Sequence, residues 1–325
     1  MPARDAEKGR LAICGAAHVH LPDHVRMARD HSWTIGGVFD RDEQRGRDWC
    51  DRLGANWHGE AAELAGAGYD GAIVCSETAH HEADMHALVE AGIPVFAEKP
   101  LAHDAASARR IADAAERTGT TVHTGFFMRT NTALAELCER VREGVLGDIV
   151  EARARFSHDG AFARWLDLSG WMTTPQLAGY GGFADEGVHA IDLLQWMLGP
   201  IADGQARLGF EKGYPVDDHG AAVLAFESGA IGAVQAGWTD TRMRLELDLV
   251  GTEGGARVRQ GLAEAWDRQD GTRNWSAELA SLDAGEGLVP FLDALQGKDG
   301  AGLVTACEAV AVNAVLDMLY GRPSA

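Results

Sequence analysis

No stretch of this 325-residue chain reaches 18 consecutive apolar residues, so the sequence predicts no membrane span. No pair of cysteines has C-x-x-C spacing. The five, Cys14, Cys50, Cys75, Cys138 and Cys307, are scattered and odd in number, which argues against a zinc ribbon or a redox dithiol. Cys14 and Cys75 fall inside apolar runs and read as small core hydrophobes. There is no Lys/Arg stripe either, and the formal net charge is −20. That argues against nucleic acid as a partner, because such binding rests on counterion release by clustered cations. The opening MPARDAEKGR holds no apolar stretch of signal-peptide length, so a reducing, cytoplasmic location is expected. What is there is ordinary for a globular protein, 46% hydrophobic and 24% charged, and long enough for two domains.

From Leu11, short apolar runs alternate with helical patterns. Strands are expected at Leu11–Cys14, Trp33–Phe39, Gly71–Cys75, Pro94–Ala97 and Thr120–His123. Between them helices are expected at about 22–29, 41–53, 81–90 and 104–117. This order predicts a doubly wound parallel Rossmann sheet over residues 1–130, with ligands bound beyond the carboxyl ends of its strands. Three features land there: the loop after Gly15, Asp40, and Glu98-Lys99-Pro100.

The loop is a damaged dinucleotide fingerprint. Where G-x-G-x-x-G is expected the chain reads Gly15-Ala16-Ala17-His18-Val19-His20, with only the first glycine kept. Ala17 puts a methyl group where backbone should approach a pyrophosphate. Asp40 repairs part of the case, since a carboxylate at the end of the second strand accepts from ribose hydroxyls and repels a 2′-phosphate. Arg41 offers the opposite: stacking on adenine or pairing with that phosphate. NAD is preferred, with NADP left open, and a helix-capping role for Asp40 is the plainer alternative.

A second constellation points to alcohol chemistry. Lys99 closes an apolar strand at the ligand-binding edge, where an ammonium holds a substrate hydroxyl and stabilises its alkoxide character. Far downstream, Gly181-Gly182 precede Asp185 and His189, which share a helix face at i, i+4 spacing. A histidine suits reversible proton transfer at a secondary alcohol, and a nearby carboxylate orients it. Asp192 follows three residues on.

These motifs resemble the family named for glucose–fructose oxidoreductase, inositol dehydrogenase and the rhizopine-catabolism protein (Gfo/Idh/MocA). Its E-K-P is matched by Glu98-Lys99-Pro100, and its D-x-x-x-H after paired glycines by Asp185 and His189. Gly125, Arg129, the Glu143–Asp148 turn and Val250–Gly255 extend the likeness along most of the chain. The resemblance implies that Lys99 polarises the substrate oxygen, Asp185 assists and His189 is the general acid/base. It places Ser76, Glu77 and His81 beside the nicotinamide half of the cofactor, although Ser-Glu-Thr stands where the family has Thr-Pro-Asn. With Gly15, Ala17, His18, Asp40, Arg41, Glu98 and Lys99 these make the expected cofactor contacts. Substrate contacts are expected from Lys99, Arg129, Arg164, Trp171, Asp185 and His189. The family also implies a substrate-binding and oligomerisation domain, here 131–325, an α/β domain with a large open, mainly antiparallel sheet. It implies a homodimer or homotetramer acting on a sugar or cyclitol. Ala221–Phe226, Ala230–Ala236 and Leu245–Val250 are strand candidates for that sheet, and Leu303–Leu319 a C-terminal helix.

Other readings are plainer. His18, His20 and His24 do not share one helix face and lack a completing ligand set, so they read as loop and helix-surface histidines, and no metal is expected. His80 and His81 are adjacent and should diverge. Trp165, Trp171 and Tyr180 are either sugar-stacking or core aromatics, Arg164 and Asp167 are candidate hydroxyl partners, and Trp238 reads as sheet packing. The function expected is hydride transfer at a secondary alcohol of a sugar, glycoside or cyclitol. Alternatives are redox-assisted glycoside cleavage with retained NAD, and a silent nucleotide sensor.

Overall fold

The computed structural model describes residues 9–298 and 300–323; of the N-terminal segment read for a leader, residues 1–8 lie outside the described residues. Residues cluster into two compact units. The first comprises residues up to 102, 106–125 and 283–308; the second comprises 103–105, 126–282 and 309 onward. A linear division at 130/131 does not describe this, because 283–308 returns to the first unit. It returns because it is amphipathic: Leu288, Phe291 and Leu292 are fully buried in the core that also holds Leu21, Val25 and Phe96.

The first unit is a six-stranded parallel sheet of order β3-β2-β1-β4-β5-β6. Its strands are β1 (Arg10–Ala16), β2 (Thr34–Phe39), β3 (Asn56–Trp57), β4 (Gly71–Cys75), β5 (Val95–Ala97) and β6 (Val122–Thr124). The connecting helices are α1 (Leu21–Asp30), α2 (Glu43–Leu53), α3 (Ala61–Gly66), α4 (His81–Glu90) and α5 (Ala105–Thr118). Strands β1 and β4 pair in parallel although two strands lie between them in sequence, which makes a topological switch point at the end of β1. All five expected strands form; the two-residue edge strand β3 and the short α3 carry too little pattern to be seen in the sequence. Apart from the exposed Arg10 that starts β1, both faces of β1 and β4 are covered and their residues carry no charged or polar side chain.

The second unit is built on an eight-stranded sheet of order β14-β13-β12-β11-β7-β10-β9-β8, antiparallel except for the parallel pair β7 and β10. The strands run from β7 (Ile149–Ser157) and β8 (Ile201–Gly209) through β9 (His219–Phe226), β10 (Ile231–Gly237) and β11 (Arg244–Gly251). Then come β12 (Gly254–Arg259), β13 (Leu262–Asp267) and β14 (Arg273–Glu278). Its helices are α6 (Thr132–Arg142), the short α7 (Gly160–Ala163) and α8 (Pro175–Ala178), and the long α9 (Gly182–Leu198). Helix α9 packs on β7, β9 and β10. Strand residues alternate accordingly: Ala222, Leu224 and Val234 are buried while Val223 and Ile231 are exposed. No helix among the described residues is long and apolar enough to cross a membrane.

How α9 starts matters, because it carries Asp185 and His189. Its N-cap, Gly181, has no side chain to cap with. Asp217 does the work from the loop before β9: its Oδ2 accepts from the Phe183 N–H at 2.7 Å, and its Oδ1 accepts from the Tyr320 hydroxyl at 2.9 Å. A Cβ on Gly181 would run into Asp217, so glycine is required here by the close approach of the capping carboxylate. Burial pushes the Asp217 carboxyl up to about 6, against the opposing hydrogen bonds from Phe183 and Tyr320. A raised acid favours the folded state at low pH, and that contribution is lost as pH climbs from the ordinary carboxylate value through about 6. Asp217→Asn should therefore become relatively more favourable at neutral pH than near pH 4, by up to about 3 kcal/mol. Urea unfolding of both proteins at the two pH values measures it, and equal differences at both would refute this assignment.

Candidate active site

In the first unit, Gly15 ends β1 with φ 81°, a left-handed conformation that favours glycine. A Cβ there would also collide with the Ser76 backbone and side chain, so the loop after β1 and the turn after β4 lie in direct contact. The Ala17 and His18 N–H groups both donate to the Cys75 carbonyl at 2.9 Å. Helix α1 then begins without a side-chain cap, leaving its positive end to face any anion held at the loop. Ser76 is buried and its Oγ has no hydrogen-bond partner. A cradle closed by a required glycine, an uncapped helix start and an orphaned hydroxyl fit a bound dinucleotide.

Asp40 stands at the end of β2, but it does not offer a free carboxylate. Its oxygens accept from the Ala16 N–H at 2.6 Å, the Asp42 N–H at 2.7 Å and the Arg45 guanidinium at 2.8 and 2.9 Å. Arg45 also reaches Glu77 at 2.9 Å. Arg41 donates to the buried Asp84 carboxylate. The cap of α2 is Asp42, which accepts from the Arg45 N–H, and not Asp40. Sequence reasoning missed Arg45, whose only local signal is its position one turn into the helix after Asp40.

His81 is buried with its two ring nitrogens facing the Leu101 carbonyl at 3.1 Å and the Ser76 carbonyl at 3.2 Å. Burial lowers its pKa, partly opposed by those contacts. A neutral ring donates to only one of these two carbonyls; neighbouring His80 diverges and is partly exposed. Lys99 is buried just after β5. Its backbone N–H donates to Glu98 Oε2 at 3.0 Å.

Of the three histidines after Gly15, His18 and His24 are buried and His20 is partly exposed, so they are not the surface residues expected. His18, His20 and His24 converge on Glu98 Oε1, at 3.7, 3.3 and 2.5 Å. They do so because His18 and His20 sit in the loop and only His24 on α1, so helix-face spacing does not govern them. Burial opposes ionisation of Glu98, yet the imidazoles of His18 and His20, with hydrogen bonds from His20 and His24, hold its carboxyl well below the usual range.

In the second unit, α9 brings Asp185 and His189 onto one face. His189 is buried among three phenyl rings, Phe127 at 4.6 Å between centroids, Phe156 at 5.5 Å and Phe126 at 6.2 Å. Asp185 is partly exposed and its Oδ2 accepts from the Trp238 indole N–H at 2.7 Å. Trp238, expected as sheet packing, is buried in a cluster with Ala161, Leu166, Leu168, Met172 and Val216, all outside the strands, and its indole N–H holds the orientation of this carboxylate. Beside it His158 donates through Nε2 to Glu186 at 3.0 Å while its Nδ1 accepts from the Gly160 N–H at 3.0 Å. That pairing sets the His158 tautomer.

The remaining expected substrate contacts have varied settings. Arg129 is buried and makes a two-point ion pair with Asp192, at 2.7 and 3.0 Å. Arg164 is exposed in a left-handed conformation at the end of α7. Trp171 packs on a small apolar cluster with Met172 and Trp238. Trp165 is half exposed, its ring 4.6 Å from that of His158. Tyr180 is a core aromatic whose hydroxyl donates to Asp317 at 2.7 Å. Asp167 is turned onto Ser169.

A doubly wound parallel sheet with a required glycine after β1, paired with a unit whose long helix presents an acid and a histidine, defines a dinucleotide-dependent class of protein. Residues 9–126 match the family described as "Oxidoreductase family, NAD-binding Rossmann fold", and residues 134–257 match the "GFO/IDH/MocA C-terminal domain". The chain belongs to the Gfo/Idh/MocA family, and its first unit is the family's NAD-binding domain. It is 30% identical over 201 residues to myo-inositol dehydrogenase Hyg17 of Streptomyces leeuwenhoekii, a match covering 59% of this chain and 58% of that one. To D-glucoside 3-dehydrogenase of Escherichia coli K12 it is 32% identical over 209 residues, covering 62% and 58%. The chain thus spans little more than half the length of these curated relatives. The fold matches the crystal structure of an oxidoreductase domain protein from Kribbella flavida with a TM-score of 0.84, at 22% identity and 96% coverage of each chain.

Proposed function

We propose that this chain is an NAD-dependent dehydrogenase acting at a secondary alcohol carbon of a sugar, glycoside or cyclitol. The observation that carries the reading is the setting of His189. An imidazole enclosed by Phe126, Phe127 and Phe156, one helical turn from an oriented Asp185, is held rigidly and away from bulk water. Bound NAD supplies the hydride acceptor. Lys99 holds the substrate oxygen and stabilises negative charge on it. His189 takes the hydroxyl proton in oxidation and returns it in reduction, and Asp185 orients the imidazole or the substrate. The relatives' names, a myo-inositol dehydrogenase and a D-glucoside 3-dehydrogenase, support ring carbinols as the substrate class.

NAD is favoured over NADP because both arginines at the end of β2 are matched to acids, Arg41 to Asp84 and Arg45 to Asp40 and Glu77. A 2′-phosphate would have to compete with these carboxylates. The homo-oligomer is proposed to form through the open face of the eight-stranded sheet, where Val223, Ile231 and Val250 are exposed. The experiment is a thermal-shift comparison of NAD and NADP, followed by NADH formation with myo-inositol and methyl D-glucosides. NAD is expected to raise the melting temperature more than NADP and at least one alcohol to be oxidised. A folded protein that neither nucleotide stabilises would overturn the reading.

A further inference from the structure

The cluster around Glu98 is not explained by the dehydrogenase reading. His18 is 5% exposed, His24 0% and Glu98 1%, while the His20 side chain is 26% exposed and opens the cluster to solvent. The ligand atoms of His18, His20 and Glu98 lie within 4.8 Å of one another. Three ring nitrogens approach a single carboxylate oxygen, Glu98 Oε1, which has two lone pairs to offer. They cannot all donate to it. His18 Nδ1 accepts a long 3.3 Å contact from the His20 backbone N–H, so that nitrogen carries a lone pair and no proton, and a bound ion would take the lone pair in place of the N–H. His24 reaches Oε1 at 2.5 Å through Nε2, and its own Nδ1 is buried with no partner. The arrangement therefore gathers imidazole nitrogens and a carboxylate oxygen in a nearly dry place.

We infer that His18, His20 and Glu98 form a binding site for one divalent transition-metal ion of the zinc type, with His24 supporting the carboxylate from behind. Two imidazoles and a carboxylate are the donor set such ions take. Tetrahedral coordination with bonds of about 2.0–2.1 Å separates neighbouring donors by about 3.3 Å. The Oε1 distances of 3.7 Å to His18 Nδ1 and 3.3 Å to His20 Nδ1, the second a long hydrogen bond, match that spacing, whereas the 2.5 Å to His24 Nε2 is a short hydrogen bond that leaves no room for an ion. His24 thus orients the carboxylate, as groups behind metal ligands do. The fourth position opens on the exposed side of His20. A metal here fastens the loop before α1 to the end of β5. His18 and Glu98 are also among the expected cofactor contacts, but the ion is measured without nucleotide, so failure of this inference and failure of the cofactor reading are distinguishable.

The test uses the full chain, freed of metal with a chelator and dialysed, then titrated with Co²⁺ alone and with Zn²⁺ alone. One equivalent of Co²⁺ should bind per chain, with the visible ligand-field absorption of a low-coordinate nitrogen–oxygen site, and Zn²⁺ should displace it and raise the melting temperature. His20→Ala, at the most exposed ligand, and Glu98→Gln should abolish the absorption, and His24→Leu should weaken binding about ten- to hundredfold with the spectrum kept. His158→Ala, in the histidine–carboxylate pair of the second unit, should change nothing. Absence of stoichiometric Co²⁺ or Zn²⁺ binding by the folded wild-type chain overturns the proposal. So does a spectrum that survives in folded His20→Ala, or one lost in His158→Ala.

Discussion

Replacing His189 by Ala is expected to lower kcat by about 10²–10⁴-fold, the usual contribution of a positioned acid or base. NADH should bind the variant as it binds the wild type, because the residues proposed to hold the nucleotide belong to the first unit and His189 does not. Lys99→Ala should lose about 10²–10³-fold, as expected when a donor to a developing oxyanion is removed. Lys99→Arg should not rescue it, since a planar guanidinium cannot reproduce a compact ammonium at a buried position. Asp185→Asn and Trp238→Phe act through orientation. Asn keeps an acceptor for the indole N–H but loses the charge, and Phe keeps the packing but loses the donor. Steady-state kinetics with parallel NADH titrations separates these cases. Wild-type turnover in both His189→Ala and Lys99→Ala would remove the mechanism, whatever the fold.

The second large effect is on stability. Arg129 and Asp192 are 6% and 1% exposed and joined by two hydrogen bonds, and the guanidinium also lies 5.6 Å from the Trp196 ring centroid. Removing one partner leaves the other charge buried without its counterion. Arg129→Ala or Asp192→Ala should therefore cost about 3–5 kcal/mol in urea unfolding. An apolar pair of similar volume, Arg129→Met with Asp192→Leu, should recover most of that loss, because desolvation of both charges offsets much of their attraction. If Arg129→Ala instead unfolds like the wild type while raising KM sharply, Arg129 is a substrate residue and not a structural one.

These residues also show where sequence reading stops. The parallel sheet was legible because β1, β2, β4 and β5 are short apolar runs with turn residues at their ends, and each strand meets a helix of clear period. The placing of Lys99 just after β5, and of Asp185 and His189 on one face of α9, was legible because their motifs are local. The second sheet was read only in part. In β7 buried Ala152 and Ala154 alternate with Arg153 and Arg155, and alanine is too weakly apolar to mark a strand face. What escaped was non-local. Glu98 lies 78 residues from His20, Asp192 lies 63 from Arg129, and Trp238 lies 53 from Asp185. Nothing near any of these residues announces its partner. Asp40 illustrates the converse: its position was read correctly, but the Arg45 and backbone donors that occupy its oxygens come with the folded turn.

Deuterium transfer tests hydride chemistry at this site most directly. The protein is mixed with NAD and with myo-inositol or methyl D-glucosides deuterated at their ring carbinol carbons, and the nicotinamide is analysed by mass and NMR. Deuterium at nicotinamide C4, abolished by His189→Ala, is the predicted result; label washed into water from a consumed alcohol, with the nicotinamide unlabelled, would contradict it.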